Sequence, residues 1–437
     1  MRTAFLLAWR TLVRGRFVPL LLLAVALVAV FVPGLVRTDG SAAGEREMYV
    51  RAVLGGAAVV VSLAVMCAAS GHVAREREEH RLALAAVRPA SAFRALAGVW
   101  LAYLAAAAAA LCAIGVFVYA RVPGGAVPCR HHIAPVMPSP MAAARVALEK
   151  YLADPSTPEA VRKAPRGVVL ALLASKESDR YDPIPPKASV QWRFPAELSA
   201  TTNLSLRVRF ATQFEMRAPL CGEFAFGASC AVLSNNTQAV LEVPLSMAAC
   251  KDRPSMPRNG DSKTSGGKEG GDLATAVFTN TGAETVMLRP RRDIFLLAPA
   301  DSFAANLLRA LAQTLAGIAL AAAFGLFLSS AVSRPVAVFT ALVLAMVIFM
   351  APSVIEQFPD ELDAPAGDRL GLALTRAVYS LTAPLSEATP IADVAEDRCI
   401  EWAPFMRAVL INGVVMPVAF LLAAAFVMRR KTLPDRA

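Results

Sequence analysis

Six apolar stretches, each near the length a helix needs to cross a bilayer, limit what this chain can fold into: Phe17–Val36, Ala52–Val73, Ala95–Ala120, Ala310–Ser333, Pro335–Ile355 and Ala408–Met428. An α-helix rises about 1.5 Å per residue, so about 20 residues cover the hydrocarbon core. Lipid offers no partner to backbone amides, so such segments satisfy them internally, as helices. The chain is 437 residues long, 56% hydrophobic and only 18% charged, with a mean hydropathy of +0.50. That is too apolar for an ordinary soluble protein. The expected fold is an α-helical membrane protein with six transmembrane helices.

Charge sets the expected orientation. Arg2, Arg10, Arg14 and Arg16 precede the first span, and Arg429, Arg430 and Lys431 follow the last. Basic residues flanking spans stay on the cytoplasmic side, so both termini are expected in the cytoplasm of a bacterial inner (plasma) membrane, with 71–94 and Ser333-Arg334 beside them. Residues 121–300 and the outer loop 356–407 then lie outside, and the acidic excess over Glu356–Trp402 suits that side. A formal charge of +10 suggests nucleic acid in a soluble protein. Here the arginines flank spans, so lipid is the expected partner and nucleic acid is not.

The chain divides accordingly. Residues 1–120 hold an interfacial helix, with Phe5, Trp9 and Leu12 on one face, and spans one to three. The first segment is expected to be retained, not cleaved as a signal. The third span is alanine-rich over Ala105–Ala110, with Gly98 and Gly115, a composition that lets helices approach closely. Residues 301–437 hold spans four to six. Between them, 121–300 is long enough for an inserted extracytoplasmic α+β domain.

Within that insertion, 139–175 reads as helical: Ser139-Pro140 starts one helix and Thr157-Pro158-Glu159 a second, which Pro165 interrupts. Residues 188–298 read as β-rich. Leu204, Leu206, Val208 and Phe210 alternate with Ser205, Arg207 and Arg209, a strand with one buried face and one polar face. Further strands are expected over 190–194, 223–226, 239–245, 273–279, 284–288 and 293–297, with Asn280-Thr281-Gly282 turning two of them into a hairpin. Strands at this spacing predict an antiparallel β-sandwich. Residues 251–272, rich in Gly, Ser, Lys and Pro, read as a disordered loop.

Seven cysteines follow the topology. Cys67 and Cys112 lie within spans; Cys129, Cys221, Cys230, Cys250 and Cys399 fall outside, where disulfides are possible. Cys221 and Cys230 flank a short stretch that can fold back as a hairpin, and Cys230–Cys250 is the alternative.

Between spans two and three, Gly71–Gly98 contains Arg75, Glu76, Arg77, Glu78, Glu79, His80 and Arg81. Each ionised side chain costs about 2.5–3.5 kcal/mol at the centre of a span, so this stretch reads as a polar loop at the membrane face. It resembles the cytoplasmic loop of the permease subunits of export-class (type 2) ABC transporters. Glu76-Arg77-Glu78, Leu82 with Leu84, and Pro89-Ala90-Ser91 carry the resemblance. The chain departs from the family at His80-Arg81, where Gly-Thr is usual, and at Val99, where Lys is common. Ser333-Arg334-Pro335-Val336-Ala337 is similar to the family's turn between spans four and five. Cys399-Ile400-Glu401-Trp402 before the last span and Arg429-Arg430-Lys431 after it extend the likeness. The resemblance implies a separate ATPase subunit docking on Arg75, Glu76, Arg77, Glu78, Glu79, Leu82, Leu84, Pro89 and Ser91, and a second permease subunit, identical or not. It also implies that Leu370–Leu381 re-enters the outer leaflet.

No phosphate loop occurs, and Gly266-Gly267-Lys268-Glu269 lacks the hydroxyl that magnesium needs. Nothing marks a nucleophile, so the chain is not expected to be an enzyme. The adjacent His131-His132 lack a third ligand at suitable spacing, so no metal or other cofactor is expected. Two functions remain: an ABC exporter subunit driven by a separate ATPase, or a membrane-anchored extracytoplasmic binding or structural protein. The span interiors carry no Asp, Glu, Lys or Arg, which favours an apolar or amphiphilic cargo, or work on the envelope, over an ion.

Overall fold

A computed structural model describes residues 1–35, 42–78, 92–122, 129–153, 166–178, 180–195, 204–209, 220–226, 229–235, 240–245, 273–357 and 390–432. Residues 251–272 and Leu370–Leu381 lie outside these, as does the second helix start at Thr157-Pro158-Glu159.

Among the described residues, five helices are long and apolar enough to cross a membrane: Phe17–Leu35, Gly44–Glu78, Ala92–Arg121, Phe303–Ala331 and Trp402–Arg430. The protein is a multi-pass membrane protein with a separate β-rich region. The first helix, α1, covers Arg2–Arg14, and α2 covers Phe17–Leu35. Next come α3 (Ala42–Glu78) and α4 (Ala92–Arg121). Where a fifth span is expected, the 24-residue helix Arg334–Gln357 is present.

Helix α1 does not lie alone at an interface. Its apolar face, with Ala8 and Leu12 buried and Phe5 stacked on Trp9, packs on the start of α4. Gly98 permits this crossing: a Cβ there would sit 2.7 Å from the Ala4 Cβ and 2.8 Å from the Phe5 nitrogen. The chain leaves α1 through Gly15 and Arg16, the latter at φ 62.

The two short helices of the insertion, α5 (Pro140–Ala153) and α6 (Arg166–Ser178), pack on each other through Ala144, Leu170 and Leu173. As the Ser-Pro start predicts, the Ser139 hydroxyl accepts from the Ala142 amide and caps α5.

Among the described residues, ten strands follow the order β1 (Cys129–Ile133), β2 (Asp182–Ile184), β3 (Ser189–Pro195), β4 (Ser205–Arg209) and β5 (Leu220–Phe226), then β6 (Ser229–Asn235), β7 (Val240–Pro244), β8 (Leu273–Asn280), β9 (Val286–Leu288) and β10 (Ile294–Asp301). One antiparallel sheet has the order β1-β10-β4-β7 and another β3-β8-β5-β6, while β2 pairs with β9. One core joins both four-stranded sheets: Leu206, Val208, Ile294 and Leu296 from the first meet Trp192, Phe194, Phe224 and Phe278 from the second. Gly222 is required here, since a Cβ would lie 2.5 Å from the Phe278 ring.

Two expectations fail in this region. Asn280-Thr281-Gly282 does turn the chain, but β8 and β9 do not pair. The buried Asn280 amide donates to the Ile184 and Glu284 carbonyls, so the chain is carried across to β2. A Cys221–Cys230 disulfide is also excluded. In the β5–β6 hairpin, Ser234 lies opposite Cys221 and Ala225 opposite Cys230. The two cysteines are thus offset by four residues, or about 13 Å along the strand, beyond what a disulfide spans. Cys221 is a free thiol, and Cys230 is disulfide-bonded. Cys250 lies outside the described residues.

The helix Phe303–Ala331, α7, is the most enclosed of the five long helices and contacts α3, α4 and the last span. Close approach explains its small residues: a Cβ on Gly325 would meet the Met66 carbonyl and the Ser70 hydroxyl at 3.0 Å. Polar contacts reinforce these crossings, with the Trp100 indole donating to the Ala319 carbonyl at 2.8 Å and the Ala74 amide to the Ser329 hydroxyl at 3.0 Å. Leu20, Leu23, Leu27, Val30 and Phe31 of α2 stay exposed, an apolar face suited to lipid. The last span contains a π-helical turn, Ile411–Val415, where Gly413 approaches Ala316.

Candidate functional sites at the two ends of α3

Helix α3 has 37 residues, roughly 55 Å of rise. It overshoots a hydrocarbon core of about 30 Å and carries charged turns at both ends.

At its C-terminal end stand Arg75, Glu76, Arg77 and Glu78. The expected polar loop therefore begins later than the sequence suggested, because Gly71–Glu78 continues the helix. Charge forbids this segment from lying in hydrocarbon but not from being helical, and His72 and Glu76, one turn apart, lie within 3.4 Å. The His72 ring contacts the Tyr103 hydroxyl at 3.2 Å, which in turn donates to the Ala68 carbonyl. Arg77 donates to the Val332 carbonyl and Gly71 faces Arg334, so the turn before helix Arg334–Gln357 shares this end of the bundle. Arg75, Arg77 and Glu78 are exposed. Glu79, Leu82, Leu84, Pro89 and Ser91 lie outside the described residues.

At the other end, α3 meets the β-rich region and the segment before the last span through ion pairs. Glu47 bonds Arg207 of β4, both side chains being under a tenth exposed. Arg207 also donates to the Glu396 carbonyl at 2.8 Å and lies 3.9 Å from Glu242. Arg46 pairs with Asp397, and Arg51 pairs with Glu396 at 2.8 Å and Glu47 at 3.4 Å. Arg130 of β1 pairs with Glu242 of β7 at 3.1 Å. Period two correctly put Arg207 opposite the core of the sheet. That opposite face is not solvent but the end of α3.

Residues 390–401, leading into the last span, form the clamp that completes this junction. A short helix, Ile391–Ala395, is followed by a turn with Asp397 at φ 57 and a single bridge to β1. There the Arg130 amide donates to the Asp397 carbonyl and the Cys399 amide to the Arg130 carbonyl. The Asn306 side chain at the start of α7 reads both faces of this segment, donating to the Arg398 carbonyl and accepting from the Ile400 amide. Arg309 bonds Asp301 and the Ile400 carbonyl, with its guanidinium 4.3 Å from the Trp402 ring centre.

A cavity of about 580 Å³ opens beside the clamp, lined by His131, His132, Arg207, Arg291, Glu396 and Arg398 among others. Burial, followed by the charges of Arg207 and Arg398, pushes the His132 imidazole down to about 3, so it is neutral at physiological pH. The Glu396 backbone pulls the other way, yet neither ring nitrogen completes a hydrogen bond among the described residues. Burial likewise raises the carboxyl groups of Asp397 and Asp393. Among the described residues no group of three His, Cys, Asp or Glu side chains is placed to hold a metal. His131 is exposed and His132 packs against Phe295.

The sequence pointed only to the C-terminal end of α3. The junction had a weak signal, Arg46, Glu47 and Arg51 crowding the helix start, but no periodicity argument pairs these with residues 207 and 396. Comparisons with protein-family models, with curated proteins and with solved structures returned no match.

Proposed function

We propose that this chain is the membrane subunit of an ABC exporter in a bacterial inner membrane, working as one of two six-span subunits with a separate ATPase. The β-rich region is read as an extracytoplasmic β-sandwich preceded by helices, and both termini as cytoplasmic. One observation carries the reading: α3 is a single rod with the charged residues Arg75–Glu78 at one end and, at the other, buried ion pairs to the β-rich region and to the segment entering the last span. A displacement imposed on the charged end is transmitted to the clamp without a hinge. Such coupling suits a machine that moves an apolar or amphiphilic substrate, or does mechanical work on the envelope. Hydrolysis belongs to the partner, which would dock on Arg75, Glu76, Arg77 and Glu78 and the loop through Ser91.

The test is charge reversal. Glu76→Lys with Glu78→Lys sets like charges against a complementary patch, which costs several kcal/mol when docked, whereas exposed charges that merely solvate contribute roughly 0–1 kcal/mol. The double variant is expected to insert and express normally but to lose co-purification of an ATPase. Shortening 251–272 should do neither. Retained ATPase binding with full substrate-stimulated hydrolysis refutes the docking role. The cavity beside His132 supports a second reading, a membrane-anchored extracytoplasmic binding protein without transport; it predicts no ATPase in the purified material.

A further inference from the structure

β1 and the clamp segment meet at one bridge, Arg130 with Arg398, closed by the amide bonds of Arg130 and Cys399 at 2.7 and 3.0 Å. The bridge places two cysteines together from distant parts of the chain. Cys129 is 1% exposed, and the Cys399 thiol is near enough to raise its pKa. The Cys399 sulfur receives the Arg309 guanidinium at 3.7 Å and borders the cavity, so it has access to solvent while Cys129 does not. Neither has another cysteine as competitor among the described residues: Cys230 is already bonded, Cys221 lies in the other sheet, and Cys67 and Cys112 lie in the spans.

We propose that Cys129 and Cys399 form a disulfide that locks the β-rich region to the entrance of the last span. The inference rests on the extracytoplasmic placement of this region, because only an oxidising compartment sustains such a bond. The oxidant is the disulfide of a thiol oxidoreductase. The Cys399 thiolate attacks one of its sulfurs, expelling the other as a thiolate and leaving a mixed disulfide. The Cys129 thiolate then attacks the Cys399 sulfur, closing the intramolecular bond and releasing the oxidant's second sulfur. Two protein thiols lose two electrons and two protons, and the oxidant leaves as a dithiol. Burial pushes the Cys129 thiol up to about 12, with the neighbouring Cys399 thiol adding to the effect. The second step is therefore favoured during folding, before Cys129 is enclosed.

The sequence supplies an unambiguous test. Cys399 is the only cysteine after residue 250. A protease site placed within 251–272 of the full-length membrane protein yields two fragments, and any disulfide between them involves Cys399. After alkylation, cleavage and denaturing electrophoresis without reductant, the fragments are expected to run as one band and to separate on reduction. Cys129→Ser should abolish the joined band, and Cys221→Ser should leave it. Fragments that separate without reductant, or that stay joined in Cys129→Ser, overturn the proposal. Alkylation of Cys230 reads the compartment independently. A bonded Cys230 with separated fragments rejects the clasp alone, while a free Cys230 rejects the extracytoplasmic placement as well.

Discussion

Replacing Arg207 tests whether the junction is held by buried charge. Its side chain is 7% exposed and bonds Glu47, itself 8% exposed, while Arg51, the second partner of Glu47, is 46% exposed and lies at 3.4 Å. Arg207→Met leaves the enclosed Glu47 carboxylate without the buried guanidinium it pairs with, and Arg51 is half-solvated. It also strips the Glu396 carbonyl of its donor. Breaking one side of a buried pair costs about 3–5 kcal/mol, because the remaining charge loses its compensation. Arg51→Met removes an exposed partner and should cost at most about 1 kcal/mol. In thermal unfolding of detergent-solubilised protein, the first should lower the midpoint by on the order of 5–10 °C and the second by no more than about 2 °C. Adding Glu47→Leu to Arg207→Met removes both charges and should recover most of the loss, since an apolar replacement of a buried pair is often close to neutral. Equal effects of Arg207→Met and Arg51→Met, or a double variant whose losses simply add, would refute the reasoning.

Gly98→Leu should free α1, since even a Cβ meets the backbone of Phe5 and Met1; limited proteolysis should then cut near Gly15 at least several-fold faster than in the parent. Gly325→Leu should separate α3 from α7 and cost about 1–3 kcal/mol through overpacking, read as lost thermal stability with unchanged secondary structure. His132 takes up a proton near 6.5 when unfolded but near 3 when folded, so stability falls as the pH drops through that window, by about 2 kcal/mol at pH 5. Asp393 and Asp397 have raised values and slope the other way, so the measurement is the difference between parent and His132→Gln, which should open between pH 6.5 and 5 and vanish above pH 7.5.

What the sequence revealed and what it hid follow from the range of each signal. Period two put Leu206 and Val208 in the core and Arg207 opposite them, because alternation is a property of one strand. It is silent about what covers the opposite face, so the partner of Arg207 was not legible. Strand β1, Cys-Arg-His-His-Ile, has no apolar alternation and exists because β10 pairs with it and the clamp bridges it. The turn at Asn280 was legible as a turn, but its destination depends on a side-chain bond to Ile184. The span boundaries read well where charge ends an apolar run. The end of α3 did not, because hydropathy measures what lipid excludes and does not report where helical hydrogen bonding stops.

That last distinction changes the picture of the junction. If Gly71–Glu78 were a loop, motion there would be absorbed locally, since loop dihedrals are soft. As helix, these residues are fixed to Glu47 through an unbroken ladder of backbone bonds. The N-terminal end of the rod is held in turn by Arg207, Glu396 and Asp397, which sit on two different units, the β4 sheet and the segment entering the last span. Helix α7 ties the same two units again through Asn306 and Arg309. A shift of α3 therefore cannot move the β-rich region without also loading the last span. The enclosed pairs Glu47–Arg207 and Arg46–Asp397 make that linkage stiff: each has a steep distance dependence at low dielectric and little water to replace a lost partner. An apolar contact of the same area would hold the region as firmly but let it slide, since burial is non-directional. The arginines and carboxylates at this junction thus join α3, the β-rich region and the segment entering the last span by directional contacts.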